Sequence, residues 1–245
     1  MKRLAAQGAG KARPSSGVAR RRGLPADDLA AAKQRLREKV TEVRILDPDL
    51  VRSFIRLRQE QDLDGPDEVW EGVYVVPPLA SNPHQGLVGA LTGILFHVVN
   101  LEGRGQVFPG ANVSDRRTDW DHNFRGPDIA VVLADSRAVD CGTHWFGGPD
   151  FLVEVQSPGD ETDEKIPFYS KIQVRELLII HRDTRQLRLY RHDGQQLVPV
   201  TLVDFEGGKW LRSEVVPLAF RRKALKGGPR TEVCRTDGTP GKWLV

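Results

Sequence analysis

Apolar positions change their spacing several times along this chain, and each change marks an element. Residues 1–23 are rich in Gly, Ala, Ser and Arg with no apolar period, which predicts disorder. From Asp27 to about Val40, Leu29, Ala32 and Leu36 recur at turn spacing among good helix formers and predict a helix. A second helix is predicted over 48–61, where Leu50, Phe54 and Leu57 share a face. "LDGPDEVW" then reads as a polar turn, and "EGVYVVPP", residues 71–78, as a short strand stopped by two prolines. In "NPHQGLVGALTGILFHVVN" the residues Leu87, Leu91, Ile94, Leu95 and Val98 form one buried helical stripe, with Asn82 as its cap.

Beyond Gly105 the pattern is mainly that of strands. They are predicted at 105–113, 127–133 and 150–156, followed by a helix over about 163–175. Runs at 177–183, 186–193 and 196–202, joined by two short polar gaps, read as an antiparallel meander. Mixed strands with helices packed on them predict an α/β or α+β domain over 65–220. The expected organisation is a disordered basic tail (1–23), a helical extension (24–64), that domain, and a basic C-terminal tail (221–245).

The chain has 245 residues, 39% hydrophobic and 28% charged, as suits a soluble globular protein. Its two cysteines, Cys141 and Cys234, lie far apart and form no C-x-x-C pair. That argues against a structural zinc site or a disulfide framework and for a reducing compartment. No apolar run approaches the roughly 20 residues of a membrane span. The basic cluster "ARRRG" leads into "LPADDLAAA", whose aspartates do not suit a signal peptide, so a cytoplasmic location is expected.

The net charge of +3 hides an asymmetry: residues 1–39 carry +8 and residues 221–245 carry +5, leaving −10 for 40–220. The basic ends read either as solvated tails or as phosphate-binding arms on an acidic core.

"GPDFLVEVQSPGD" places Glu154 in the middle of a strand that otherwise wants to be dry. A buried acid usually has a partner, a metal or a job. Pro127-Asp128 opens another strand. Metal-assisted phosphodiester hydrolysis asks for two carboxylates on neighbouring strands, because Mg²⁺ prefers hard oxygen ligands. A nearby lysine can orient the attacking water or offset charge growing on phosphate. On spacing alone, solvent-facing acids fit as well. No P-loop or G-x-S-x-G motif is present, and "DWDHNFRG" lacks the glycine and final glutamate of an EF-hand, with Phe124 and Ala130 there instead. His181 and His192 fall on meander strands and read as structural.

The run "GPDIAVV…GPDFLVEVQSPGDETDEKIPFYSKIQVRELLIIHRDTRQLRLYR" resembles the Uma-type restriction endonuclease domain, a bacterial branch of the PD-(D/E)XK nuclease superfamily. The similarity extends through "EGVYVVPPLASNPHQGLVGALTGIL" upstream and "WLRSEVVPLAF" downstream, covering about residues 70–220. Its most specific parts are P-D, E-V-x-S-P, K-x-x-x-Y and V-R-E. The resemblance implies a restriction-endonuclease-like α/β fold, a mixed sheet flanked by helices with the meander on its C-terminal side. It makes Asp128 and Glu154 the metal ligands and puts Gln156 in the usual lysine slot. Lys165, from the following helix, would serve instead, with Tyr169 at i+4 facing the same cleft. His84 matches a histidine at the start of the upstream helix.

The implied activity is a Mg²⁺-dependent endonuclease (Mn²⁺ also suits) with DNA as partner, no membrane, and a homodimer left open. The alternative is a catalytically inactive nuclease-fold module that binds DNA or protein. The chain departs from the family pattern at several places. It has a dense acidic run, Asp160, Glu161, Asp163 and Glu164, just before Lys165. Gln173 stands where glycine is frequent, and Val73 where a carboxylate is expected. Pro167 requires the helix to start near Asp163.

Overall fold

Alternation along residues 151–156 builds the centre of the fold. Phe151, Val153 and Val155 point to one face of the strand, and Leu152 and Glu154 to the other. The computed structural model describes residues 43–61 and 67–245. Residues 1–23 and the helix predicted over 27–40 lie outside the described residues. Strands are numbered through the chain. The central sheet has six, in the order β13-β12-β11-β10-β7-β4. These are β4 (Gly105–Pro109), β7 (Ile129–Leu133), β10 (Phe151–Gln156), β11 (Glu176–His181), β12 (Leu187–His192) and β13 (Leu197–Pro199). Only β10 and β11 run parallel in this sheet; the predicted meander β11-β12-β13 is antiparallel.

A parallel pair needs a crossover connection. Here a 3₁₀ turn, Thr162–Lys165, leads into helix α3 (Ile166–Lys171). Helix α1 spans Pro48–Gln61, as predicted, and α2 spans Asn82–Val99. The predicted α2 stripe, joined by Val88 and Val99, packs on the Phe151–Val153–Val155 face. On the opposite face, Phe168 and Tyr169 of α3 pack over Leu152, Leu177 and Ile179. Glu154 shares the parity of Leu152, so it faces α3.

Five expectations need correction. Residues 221–245 are no tail. A second sheet runs β14 (Val203–Phe205), β15 (Gly208–Arg212), β16 (Leu218–Lys223), β17 (Arg230–Arg235) and β18 (Lys242–Leu244), each strand antiparallel to the next. Leu211, Leu218, Phe220 and Val233 join the core under α2. Four of the seven basic residues in this segment, Arg221, Lys223, Arg235 and Lys242, are ion-paired. Glu232 pairs with Arg221, Lys223 and Lys242, and Arg235 pairs with Glu102 and Asp237. Along β17 burial does not alternate: Thr231, Glu232, Val233, Cys234 and Arg235 are all buried, the charged ones in ion pairs.

The described part of the helical extension is also no separate piece. Its strand β1 (Val43–Ile45) starts a third sheet, in the order β1-β3-β2-β6-β5-β9-β8. The others are β2 (Glu68–Trp70), β3 (Val73–Val76), β5 (Val113–Ser114), β6 (Phe124–Arg125), β8 (Val139–Asp140) and β9 (Trp145–Phe146). In α1, Val51 is the residue turned into the core, while Leu50, Phe54 and Leu57 stay exposed.

Finally, two predicted elements are shorter. The run 105–113 breaks at Gly110, which takes φ +70°, into β4 and β5 of different sheets. The helix predicted over 163–175 is α-helical only over 166–171. Pro167 sits in its first turn, as required, and Gln173 ends it in the left-handed region at φ +64°.

Candidate active site

A cleft of about 710 Å³ opens where β7, β10, α2 and the β2–β3 hairpin meet. Its lining includes His84, Asp128, Glu154, Lys165 and, unforeseen from the sequence, Glu68. Asp128 precedes β7, which lies beside β10 with Ile129 opposite Val153. That register lets the Val155 backbone N–H donate to Asp128 Oδ2 at 2.6 Å, while His84 Nε2 lies 2.9 Å from Asp128 Oδ1. The hydrogen bond to Asp128 raises the His84 pKa above its usual value, against the opposing effect of burial.

Glu154 is buried, and burial pushes its pKa up to about 8, although the Lys165 charge pulls the other way. Asp128 and Glu68 add to the upward push. Lys165 comes from the end of the 3₁₀ turn. Its Nζ lies 3.2 Å from Glu154 Oε1 and 3.4 Å from Oε2, but only 2.8 Å from Glu68 Oε1. Burial disfavours the ammonium, yet Glu154 and Glu68 outweigh it and raise its pKa above the ordinary lysine value. Tyr169, one turn on, donates its hydroxyl to Glu154 Oε1 at 2.5 Å. Burial and the Glu154 charge keep that phenol protonated. The i, i+4 spacing read from the sequence therefore brings Lys165 and Tyr169 to one carboxylate.

Two of the expected residues do not line the cleft: Tyr169 is buried beneath Glu154, and Gln156 turns elsewhere. Its Oε1 accepts from Arg188 at 3.1 Å and its amide reaches the Asp160 carbonyl at 3.4 Å. Arg188 also pairs with Asp163, and Arg44 of β1 pairs with Glu161 and Glu164. The acidic run is thus compensated by arginines from two other strands. His192 donates to, or accepts a proton bridge at, no cleft group: its Nε2 contacts the Ser170 carbonyl at 3.1 Å, a structural contact.

Glu68 lies in the stretch taken for a polar turn. Trp70 Nε1 donates to its Oε2 at 2.5 Å and the Gly126 N–H to its Oε1 at 2.9 Å. A signal for the hairpin was present: Glu71-Gly72, both with positive φ, joins Val69-Trp70 to Val73-Tyr74 as a two-residue turn. Arg125, buried with its guanidinium 4.7 Å from the Trp70 ring and 4.2 Å from the Phe168 ring, braces this wall.

Other buried acids show what a structural role looks like. Asp150 meets Arg175 and the Leu133 N–H, and Glu176 meets Arg191 and Ser213. Neither borders the cleft. Glu68, Asp128 and Glu154 border it together. Lys165, the one lysine or arginine among the described residues of its lining, pairs with Glu68 and Glu154, and His84 pairs with Asp128. Among the described residues no group of three or more His, Cys, Asp or Glu side chains is already spaced to hold a metal ion. The donor chemistry of Asp128 and Glu154, hard carboxylate oxygens in a cation-poor cleft, nevertheless suits a divalent ion such as Mg²⁺.

A mixed sheet flanked by helices, with acids on adjacent strands and a lysine and tyrosine from the crossover, defines a restriction-endonuclease-like α/β fold. Residues 53–224 match the family Uma2, described as "Putative restriction endonuclease". The chain belongs to that family. Among solved structures it is similar to one described as a putative nuclease belonging to DUF820 from Anabaena variabilis ATCC 29413. That similarity is at 18% identity and a TM-score of 0.46, over 61% of this chain and 88% of that one. No curated protein matches. No helix among the described residues is long and apolar enough to cross a membrane.

Proposed function

We propose that this protein is a divalent-metal-dependent endonuclease acting on DNA, with Asp128 and Glu154 as the residues that hold Mg²⁺. The observation that carries this reading is the convergence of Asp128, Glu154 and Lys165 on one cleft. Bound Mg²⁺ would supply polarisation of a phosphoryl oxygen and a lowered pKa for the attacking water. The chain's own residues do the rest. The Val155 N–H and His84 fix Asp128, and Tyr169 fixes Glu154. Lys165 offers an ammonium against the charge that grows on phosphate in the transition state. Arg182, which donates to Ser81 and Ser157 beside the cleft, gives a phosphate backbone a cationic contact at the rim.

The test is cleavage of supercoiled duplex DNA, single-stranded DNA and RNA with Mg²⁺, Mn²⁺ or EDTA, with Asp128→Asn as control. Metal-dependent cleavage of DNA that Asp128→Asn abolishes is the expected result. No cleavage with either metal would leave a nuclease-fold binding module, the reading that the engagement of Gln156 with Arg188 rather than with the cleft favours.

A further inference from the structure

Lys165 reaches the cleft from a short 3₁₀ turn, not from the strand position two residues after Glu154. A side chain at that strand position would be aimed by the pleat itself. A lysine on a turn has a long flexible stem and needs a second anchor. Glu68 has the placement of such an anchor. It is buried, and two donors hold it still: the Trp70 indole on Oε2 and the Gly126 backbone on Oε1. Trp70 is in turn held under the Arg125 guanidinium. The Lys165 nitrogen is nearer Glu68 (2.8 Å) than either oxygen of Glu154 (3.2 and 3.4 Å).

We infer that Glu68 is a positioning residue for Lys165: it carries the ammonium, and so leaves Glu154 free to serve a metal ion. This rests on the metal-nuclease reading above. Without Glu68, Glu154 is, among the described residues, the only carboxylate within ion-pair distance of Lys165, and the built-in cation competes with the divalent one for it. Glu68 acts here through Lys165 and not as a ligand, which makes the effect of removing it reversible by removing the lysine as well.

The experiment is Mn²⁺ titration by calorimetry, at fixed pH and without DNA, on the wild type, Glu68→Gln, Lys165→Met and the double variant, with folding checked by thermal melts in EDTA. Glu68→Gln should weaken Mn²⁺ binding about ten-fold, in the range typical of partners that orient metal ligands. Adding Lys165→Met should restore the affinity to the wild-type level or above. Weak binding that persists in the double variant would make Glu68 a ligand or a fold determinant and overturn the inference, as would unchanged affinity in Glu68→Gln. Both of those results leave the nuclease reading standing. Absence of Mn²⁺ binding in the wild type and in every variant would remove the nuclease reading and the inference together. If Glu68→Gln fails to fold, Trp70→Phe, which removes the indole donor to Glu68 and keeps a smaller aromatic ring beside Arg125, replaces it. A smaller weakening, again reversed by Lys165→Met, is then expected, and no change overturns the inference.

Discussion

Tyr169 donates its phenolic hydrogen to Glu154 at 2.5 Å, from inside the core and beneath the cleft. Tyr169 is fully buried, so bulk water does not replace its partner. Above about pH 8, where Glu154 is ionised, Tyr169→Phe should therefore cost about 1.5–3 kcal/mol of stability, the range for a hydrogen bond to a charged group. It should also drive the Glu154 pKa further up, since the Tyr169 bond is one of the contacts that lowers it. Urea unfolding of both proteins checks the first point. A change below about 0.5 kcal/mol would mean that the bond adds nothing net.

Lys165→Met keeps the aliphatic stem and removes the charge. In single-turnover DNA cleavage it should slow the rate by about 10²-fold or more, on the magnitudes of electrostatic transition-state stabilisation. A rate equal to the wild type would remove Lys165 from the chemistry.

Glu154→Gln and Asp128→Asn each delete a charge and almost no volume. Each should abolish Mn²⁺ binding in calorimetry while the protein stays folded. Unchanged affinity in both would exclude the two-carboxylate site.

Gln173 holds φ +64°, a conformation that suits glycine and strains a side chain. Gln173→Gly should stabilise the protein by about 1 kcal/mol, provided the gain in backbone comfort exceeds the extra entropy of the unfolded chain. The melting temperature reads this directly, and a fall would show that the Gln173 side chain contributes more than its strain costs.

Arg235 is buried and bonds both Glu102 and Asp237. Its hydrogen bonds hold both carboxyl groups below the usual carboxylate range. Folded-state values below the unfolded ones mean stability that is fully present above the unfolded pKa of about 4. It is lost as pH falls through the depressed values. Denaturation midpoints should therefore drop between pH 5 and pH 2, and Arg235→Met should flatten that drop. An equal pH dependence in both proteins would dissociate the network from acid stability. Because β17 belongs to the core, truncation after Arg221 should also yield an unfolded chain rather than a trimmed one.

By itself the sequence determined the central elements of the fold. Periodicity marked α2 and the meander, because one-sided burial writes its spacing directly into the chain. It located α1 but not its buried face, since Leu50, Phe54 and Leu57 are exposed and Val51 is buried. The resemblance to a nuclease family, and not spacing alone, singled out His84, Asp128, Glu154, Lys165 and Tyr169, which the fold brings into contact as the pairs His84–Asp128, Lys165–Glu154 and Tyr169–Glu154. Tertiary structure alone decided the rest. Gln156 turned to Arg188, a partner two strands away in the sheet, and not to the cleft. The basic C-terminus became a sheet because its charges found Glu102, Glu232 and Asp237. Glu68 entered the site from a segment 97 residues before Lys165, since a hairpin and the Trp70 and Gly126 donors hold it there. Local patterns record which face of an element is buried. Which charge meets which across the fold is fixed only when the desolvated groups are brought within hydrogen-bond distance.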